Sequence, residues 1–143
     1  MRGPNAEAKM LNRVGLALHE LERFDEADER FTQALALWRR LGDRYRQATS
    51  LRRLGFVAVG RRRLEEAIAY FTQALAAHRA LGETRAFART LVDLGDALTM
   101  AGRVSEAVPH LRQAPDIFIE VSDHYNHARA LGKLGRPHAD GRF

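Results

Sequence analysis

The side chains that could do chemistry are few and scattered. Ser50, Ser105 and Ser122 are nucleophiles by type, yet none has an evident base partner. Asp123, His124 and His127 gather at one expected helix start, where His at i and i+3 could share a metal. No third strong ligand stands near them and there is no H-E-x-x-H run, so helix capping is their expected use. The chain has no Cys, which excludes disulfides, thiolate chemistry and Cys-based zinc sites together. No Gly-rich phosphate loop occurs. These absences point away from an enzyme, a metal or a cofactor. Arg61-Arg62-Arg63 is the densest basic run, but phosphate binding needs more cations on the same face, and a solvated turn is the expected reading.

The bulk composition fits a soluble domain. Of 143 residues, 45% are apolar and 29% charged, which argues against wholesale disorder. No stretch approaches the length of apolar chain that spans a bilayer. The amino end, MRGPNAEAK, has no apolar run and does not read as a secretory signal, so a cytoplasmic setting is expected. Net charge is +5, and all the basic residues except Lys9 and Lys133 are Arg. That skew reflects a GC-rich coding sequence more than a function. A basic balance still admits an acidic partner or weak nucleic-acid affinity.

Any chemistry the chain does must be positioned by a repeat. Residues 15–54, 55–94 and 95–134 align without a gap. The first two copies agree at 16 of 40 positions and the last two at 10, several times what chance would give. All three keep Ala48/Ala88/Ala128, Leu51/Leu91/Leu131 and Leu54/Leu94/Leu134 just before Gly55, Gly95 and Gly135. Each also has Ala27/Ala67/Ala107, Phe31/Phe71/Leu111 and Ala34/Ala74/Ala114. Spacings of three, four and seven place each set on one helical stripe. Small residues recur where helices must approach closely, and large ones fill the gaps between. This is a two-helix hairpin written three times.

Local chemistry sets the boundaries. Leu41-Gly42-Asp43 and Leu81-Gly82-Glu83 place Gly where a helix ends in a left-handed residue. Asp43 and Asp123 are then good N-caps. Seven helices are expected, near 6–21, 25–41, 44–60, 64–81, 84–101, 105–121 and 124–134. No segment alternates with period two, so no strands are expected.

The pattern L-x-x-L-G, then A-x-x-x-F-x-x-A-L, resembles the tetratricopeptide repeat family. Leu51, Leu54, Gly55, Ala67, Phe71, Ala74 and Leu75 carry it best. Leu18, Ala58 and Leu98 stand where that family often has an aromatic residue, and the repeat is about six residues longer than usual. Forty-residue versions with LGD between units are similar to those in kinesin light chain relatives and in bacterial signalling and transcription regulators. HEAT and armadillo repeats are the competing fold, which the gapless Gly and Ala placements disfavour. The resemblance implies an all-α, TPR-like, right-handed superhelical solenoid of antiparallel helix pairs, about seven helices in all. The repeat domain is placed at 5–135, with units 8–47, 48–87, 88–127 and a partial 128–135. The polar tail, 136–143, is expected to be frayed and flexible.

In that family the first helices of successive hairpins line the concave side, where a partner peptide lies. The corresponding positions are Lys9, Asn12, Leu16 and His19, then Thr49, Arg52, Phe56 and Val59, then Arg89, Val92, Asp96 and Met100, and finally Arg129. The resemblance thus implies a protein–protein interaction scaffold whose groove offers a basic edge (Lys9, Arg52, Arg89, Arg129) and an apolar floor to an acidic, partly apolar peptide or partner helix. The set with which chaperone-binding members hold a terminal carboxylate falls on Asn12, Leu16, Arg53, Arg89 and Asp93; Leu16 and Asp93 spoil it.

The third unit departs from the other two. Pro115 sits well inside a helix, where a kink or break is expected, while Pro109 lies nearer the helix start. Ile117, Phe118, Ile119 and Val121 then put apolar groups on more than one face, the basis for an alternative reading as a homodimerisation or assembly module. A basic nucleic-acid-binding surface is a third, weaker reading. The missing second helix of the fourth unit is expected of either a fragment of a longer array or a short adaptor encoded alone.

Overall fold

A computed structural model of the chain describes residues 3–135. Seven helices follow one another: α1 (Pro4–Glu20), α2 (Phe24–Arg40), α3 (Arg44–Gly60), α4 (Leu64–Ala80), α5 (Thr84–Met100), α6 (Val104–Glu120) and α7 (His124–Leu134). The first six each span 17 residues, and every turn between helices is three residues long. Among the described residues there is no strand. The expected helices are all present, displaced at their ends by a residue or two.

The turns repeat one device. Their middle residues, Glu22, Gly42, Arg62, Gly82, Gly102 and Ser122, all have φ between 57° and 79°. The next N–H then bonds a carbonyl five residues back, as Asp43 N–H does to Trp38 at 3.0 Å and Asp123 N–H to Phe118 at 2.8 Å. Gly42 and Gly82 take the left-handed conformation the sequence implied, at φ 69° and 71°. Asp43 and Asp123 cap as expected, accepting from the N–H groups of Arg46 and Asn126 at 3.0 and 3.1 Å.

Packing explains the glycine that opens each repeat. A Cβ on Gly15, Gly55 or Gly95 would lie 2.7, 2.5 or 2.5 Å from Phe31, Phe71 or Leu111, so a hairpin closes only when that position is bare. Ala27, Ala67 and Ala107 are fully buried across from these contacts. Each helix packs on the next, which gives a row of hairpins with first helices α1, α3, α5 and α7 and second helices α2, α4 and α6. The core runs along the row in adjoining apolar clusters rather than in one centre.

Of the kink or break expected at Pro115, the break does not occur. Helix α6 runs unbroken through both Pro109 and Pro115. Leu111, Ala114, Pro115 and Phe118 are all buried, and packing of that stripe outweighs the lost backbone bond, a cost of about 3 kcal/mol. The tail 136–143 lies outside the described residues.

Candidate functional site

The expected groove residues lie on the first helices, but they are not equally free to meet a partner. On α1, Lys9 is exposed, Asn12 half-buried, and Leu16 packs against the core. The His19 ring leans on Phe24, 5.5 Å between centroids. On α3, the Thr49 hydroxyl donates to the Tyr45 carbonyl at 3.4 Å, and Val59 is half-buried against the core.

At the centre the picture changes from a row of loose cations to a built network. Arg52 Nε donates to Asp93 Oδ2 at 2.6 Å, joining α3 to α5, with side chains only 24% and 13% exposed. The same guanidinium lies 5.0 Å from the centre of the Phe56 ring, which meets Phe71 edge-on at 5.2 Å. Burial pushes the Asp93 carboxyl up from its ordinary range, while Arg52 pulls it back. Lys133 on α7 reaches Asp96 on α5 at 3.1 Å. Arg52 is therefore committed inside the protein, a correction to the expected basic edge. The expected apolar floor is also thinner, because Val92 is 9% exposed and Phe56 is half-covered, leaving Met100 as its open member at 49%.

Three cations of that edge remain available, Lys9 on α1 and, at the centre, Arg89 and Arg129. Arg89 is exposed and has no ion pair among the described residues; Arg129 is exposed and makes only a 3.4 Å contact to Asn126 and a 5.9 Å approach to the Tyr125 ring. Together with Arg52, Val92, Asp93 and Asn126 they line a small pocket where α3, α5 and α7 converge. Asn126 and Lys133 were missed as groove members, and Asp93 entered only as a residue that spoils a terminal-carboxylate set. The repeat register could have found the ion pairs, since Asp93 and Lys133 occupy one repeat position and each reaches the preceding first helix.

The other surfaces are less open than the sequence suggests. Arg61 pairs with Asp25 at 2.9 Å and lies 3.5 Å from Asp28; Arg63 lies 3.7 Å from Glu66. The basic run is thus largely neutralised, and the fold offers no string of bare cations for phosphates there. Of the expected self-association patch, Phe118 is core at 1% exposure, Ile117 and Val121 are half-buried, and Ile119 alone is open at 51%. Asp123 caps α7, and His127 Nδ1 lies 3.0 Å from the Pro115 carbonyl. Among the described residues no three His, Cys, Asp or Glu side chains come together as a metal site, and no helix is long and apolar enough to cross a membrane.

Several solved structures share this architecture. BtubC from P. vanneervenii superposes with a TM-score of 0.76 at 22% identity, over 80% of this chain and 48% of that one. The TPR domain of Arabidopsis FLU gives 0.75 at 19% identity, over 84% and 98%. A Rap protein complexed with competence and sporulation factor gives 0.77 at 18% identity, over 94% and 36%. The chain thus spans about half the length of BtubC and about a third of that Rap protein. At such identities the likeness is one of fold. No curated protein sequence matches the chain. Residues 6–80 match the tetratricopeptide repeat profile. That match covers more than half of the 143 residues and includes Leu51, Leu54, Gly55, Ala67 and Phe71 of the hairpin-closing stripes, so the chain belongs to the tetratricopeptide repeat family.

Proposed function

We propose that the chain is a protein-interaction scaffold that takes an acidic, partly apolar segment of a partner on its first-helix face. The observation that carries this reading is the charge left over after internal pairing. Arg52 and Lys133 are satisfied by Asp93 and Asp96, whereas Arg89 and Arg129 flank the same pocket with no carboxylate of their own among the described residues. A guanidinium offers a carboxylate two parallel N–H donors, a match that an ammonium cannot make. The half-covered Phe56 and the open Met100 add adaptable apolar contact. The likeness in fold to a Rap protein solved complexed with competence and sporulation factor supports the reading.

Fluorescence anisotropy with a labelled peptide of alternating Glu and Leu tests the reading. The chain binds it, and Arg89→Glu combined with Arg129→Glu weakens binding by about tenfold or more, with helicity unchanged. Equal binding by the variant, or equal binding of a Lys/Leu peptide by the native chain, overturns it.

A further inference from the structure

Successive units meet in unlike ways, and the difference opens a groove on the second-helix face. Where the first unit meets the second, Trp38 is 2% exposed, the Arg46 guanidinium lies 4.8 Å from its ring centre, and Gln47 Nε2 donates to its carbonyl at 3.3 Å. One repeat later the same three positions hold His78, Ala86 and Phe87. An imidazole replaces an indole, the covering guanidinium is gone, and an aromatic ring stands where an amide did. Next to Phe87 lies a groove of about 480 Å³ floored by Leu75, Phe87 and Leu91, between α4 and α6. It shares Arg79 and Phe87 with a second hollow of about 200 Å³ beside His78. Leu35 is 5% exposed at the closed junction, while its counterpart Leu75 is only half-buried.

Behind the adjoining hollow the protein is polar and unsatisfied. His78 is 3% exposed and neither ring nitrogen has a hydrogen-bond partner among the described residues. Its Nδ1 lies 3.8 Å from Glu83 Oε1, too far for a bond, and that oxygen is also buried and unpartnered. Glu83 occupies the position where Asp43 and Asp123 cap their helices, and it makes no cap. Two positions have therefore departed from the pattern of the first and third units at the same place. One more repeat along, Phe118 refills the space.

We propose that this groove is a second docking site, taking an aromatic side chain of a partner segment that carries a carboxylate beside it. The first unit supplies the template, for at the counterpart of His78, which lines the adjoining hollow, the fold itself places an indole under a guanidinium. The rim supplies the charge: Arg79 is exposed and has no ion pair among the described residues, and His110 stands on the wall formed by α6. An incoming carboxylate meets Arg79 as the ring settles over Phe87. The site is carried by α4, α5 and α6 and is independent of the first-helix reading.

Titration of the ¹⁵N-labelled chain with indole-3-propionate tests it by amide shifts. Saturable shifts are expected at Arg79, Phe87 and Ile117 and not at Arg89 or Arg129. His78→Trp, which installs the first unit's own residue, abolishes them, and Phe87→Gln weakens binding by about fivefold; circular dichroism verifies that both variants fold. Tryptamine, with an ammonium in place of the carboxylate, binds about fivefold more weakly. Absence of saturable shifts, shifts confined to the first-helix face, retention in both His78→Trp and Phe87→Gln, or equal binding of tryptamine each overturns the proposal.

Discussion

Between the first and second units, the second-helix face is sealed by Trp38 under Arg46, while on the first-helix face Arg53 keeps a buried Nε with no hydrogen bond. Between the second and third units the arrangement is reversed. The first-helix face is tied by Arg52 and Asp93, and the second-helix face is open beside His78. Asp93 and Lys133 share a repeat position with Arg53, and each reaches a counter-charge on the preceding first helix. At the matching places α1 offers Arg53 only Asn12 and Leu16. Burial and the neighbouring Arg52 charge hold the Arg53 guanidinium below its ordinary pKa. One backbone frame, repeated, thus supports two kinds of joint, apolar or ionic. The frame sets where helices touch, and a handful of side chains decide which face stays free for company.

The comparison breaks most visibly at the sealed joint. Trp38→Ala removes a nearly fully buried indole and should cost about 3–5 kcal/mol in urea unfolding monitored by far-UV circular dichroism. A loss below about 1 kcal/mol would mean that Trp38 does not close that joint. At the ionic joint, Arg52→Ala leaves Asp93 mostly buried without its partner. The expected loss is about 2 kcal/mol, discounted because Arg52 itself is 24% exposed. Asp93→Asn combined with Arg52→Ala should recover part of it, since no buried charge is then stranded.

Much of this frame is legible in the sequence, for a physical reason. Gly55 and Phe71 recur as Gly15 and Phe31, and as Gly95 and Leu111, because a Cβ on the glycine would collide with the large side chain opposite, and a forty-residue period transmits that constraint along the row. The turn glycines and the aspartate caps are equally local, so Gly42, Gly82, Asp43 and Asp123 read directly. The groove was harder. Family register placed Arg52, Phe56 and Val92 on the right row of helices, but register does not say whether a side chain is spent internally. Arg52 pairs 41 residues away, and Val92 sinks into the core. The open groove was written in the alignment as Trp38 against His78, yet its meaning needs the burial of both. Pro115 misled because a local helix penalty was weighed without the packing that overrides it.

His78 sharpens the comparison with an effect of opposite sign. His78→Phe copies the third unit's residue into a site that has room, and removes two unpartnered nitrogens; stabilisation of about 1–2 kcal/mol is expected at pH 7. In the fold, burial above all, with Arg52 and Arg89 acting the same way against Glu83, holds the imidazole below its ordinary pKa. The unfolded chain therefore takes up the proton more readily. Native stability is full above about pH 6.5 and declines as pH falls below it, whereas the variant loses that part of the slope. Thermal melts of both chains at pH 7.5 and 5.5 measure the difference; parallel declines would show that His78 does not titrate in this way.

The smallest expected effect concerns the guanidinium that covers the sealed joint. Arg46 lies over Trp38 at 4.8 Å and also reaches Asp43 Oδ2 at 3.2 Å, with 41% of its side chain exposed. A half-solvated cation on a ring, and an ion pair open to water, each contribute a few tenths of a kcal/mol to about 1 kcal/mol. Arg46→Ala should therefore cost about 1 kcal/mol, and the useful number is how that cost divides. In a Trp38→Ala background the cation has no ring to cover and only its Asp43 contact remains, so the cost of Arg46→Ala should fall by about half. Added salt separates the two parts again, because it weakens the exposed pair with Asp43 more than the stacked contact. If the cost is unchanged without the indole, Arg46 serves Asp43 alone. Ala86, its counterpart at the open joint, would then have nothing to do with why that joint is open, and the gap would rest on the exchange of indole for imidazole.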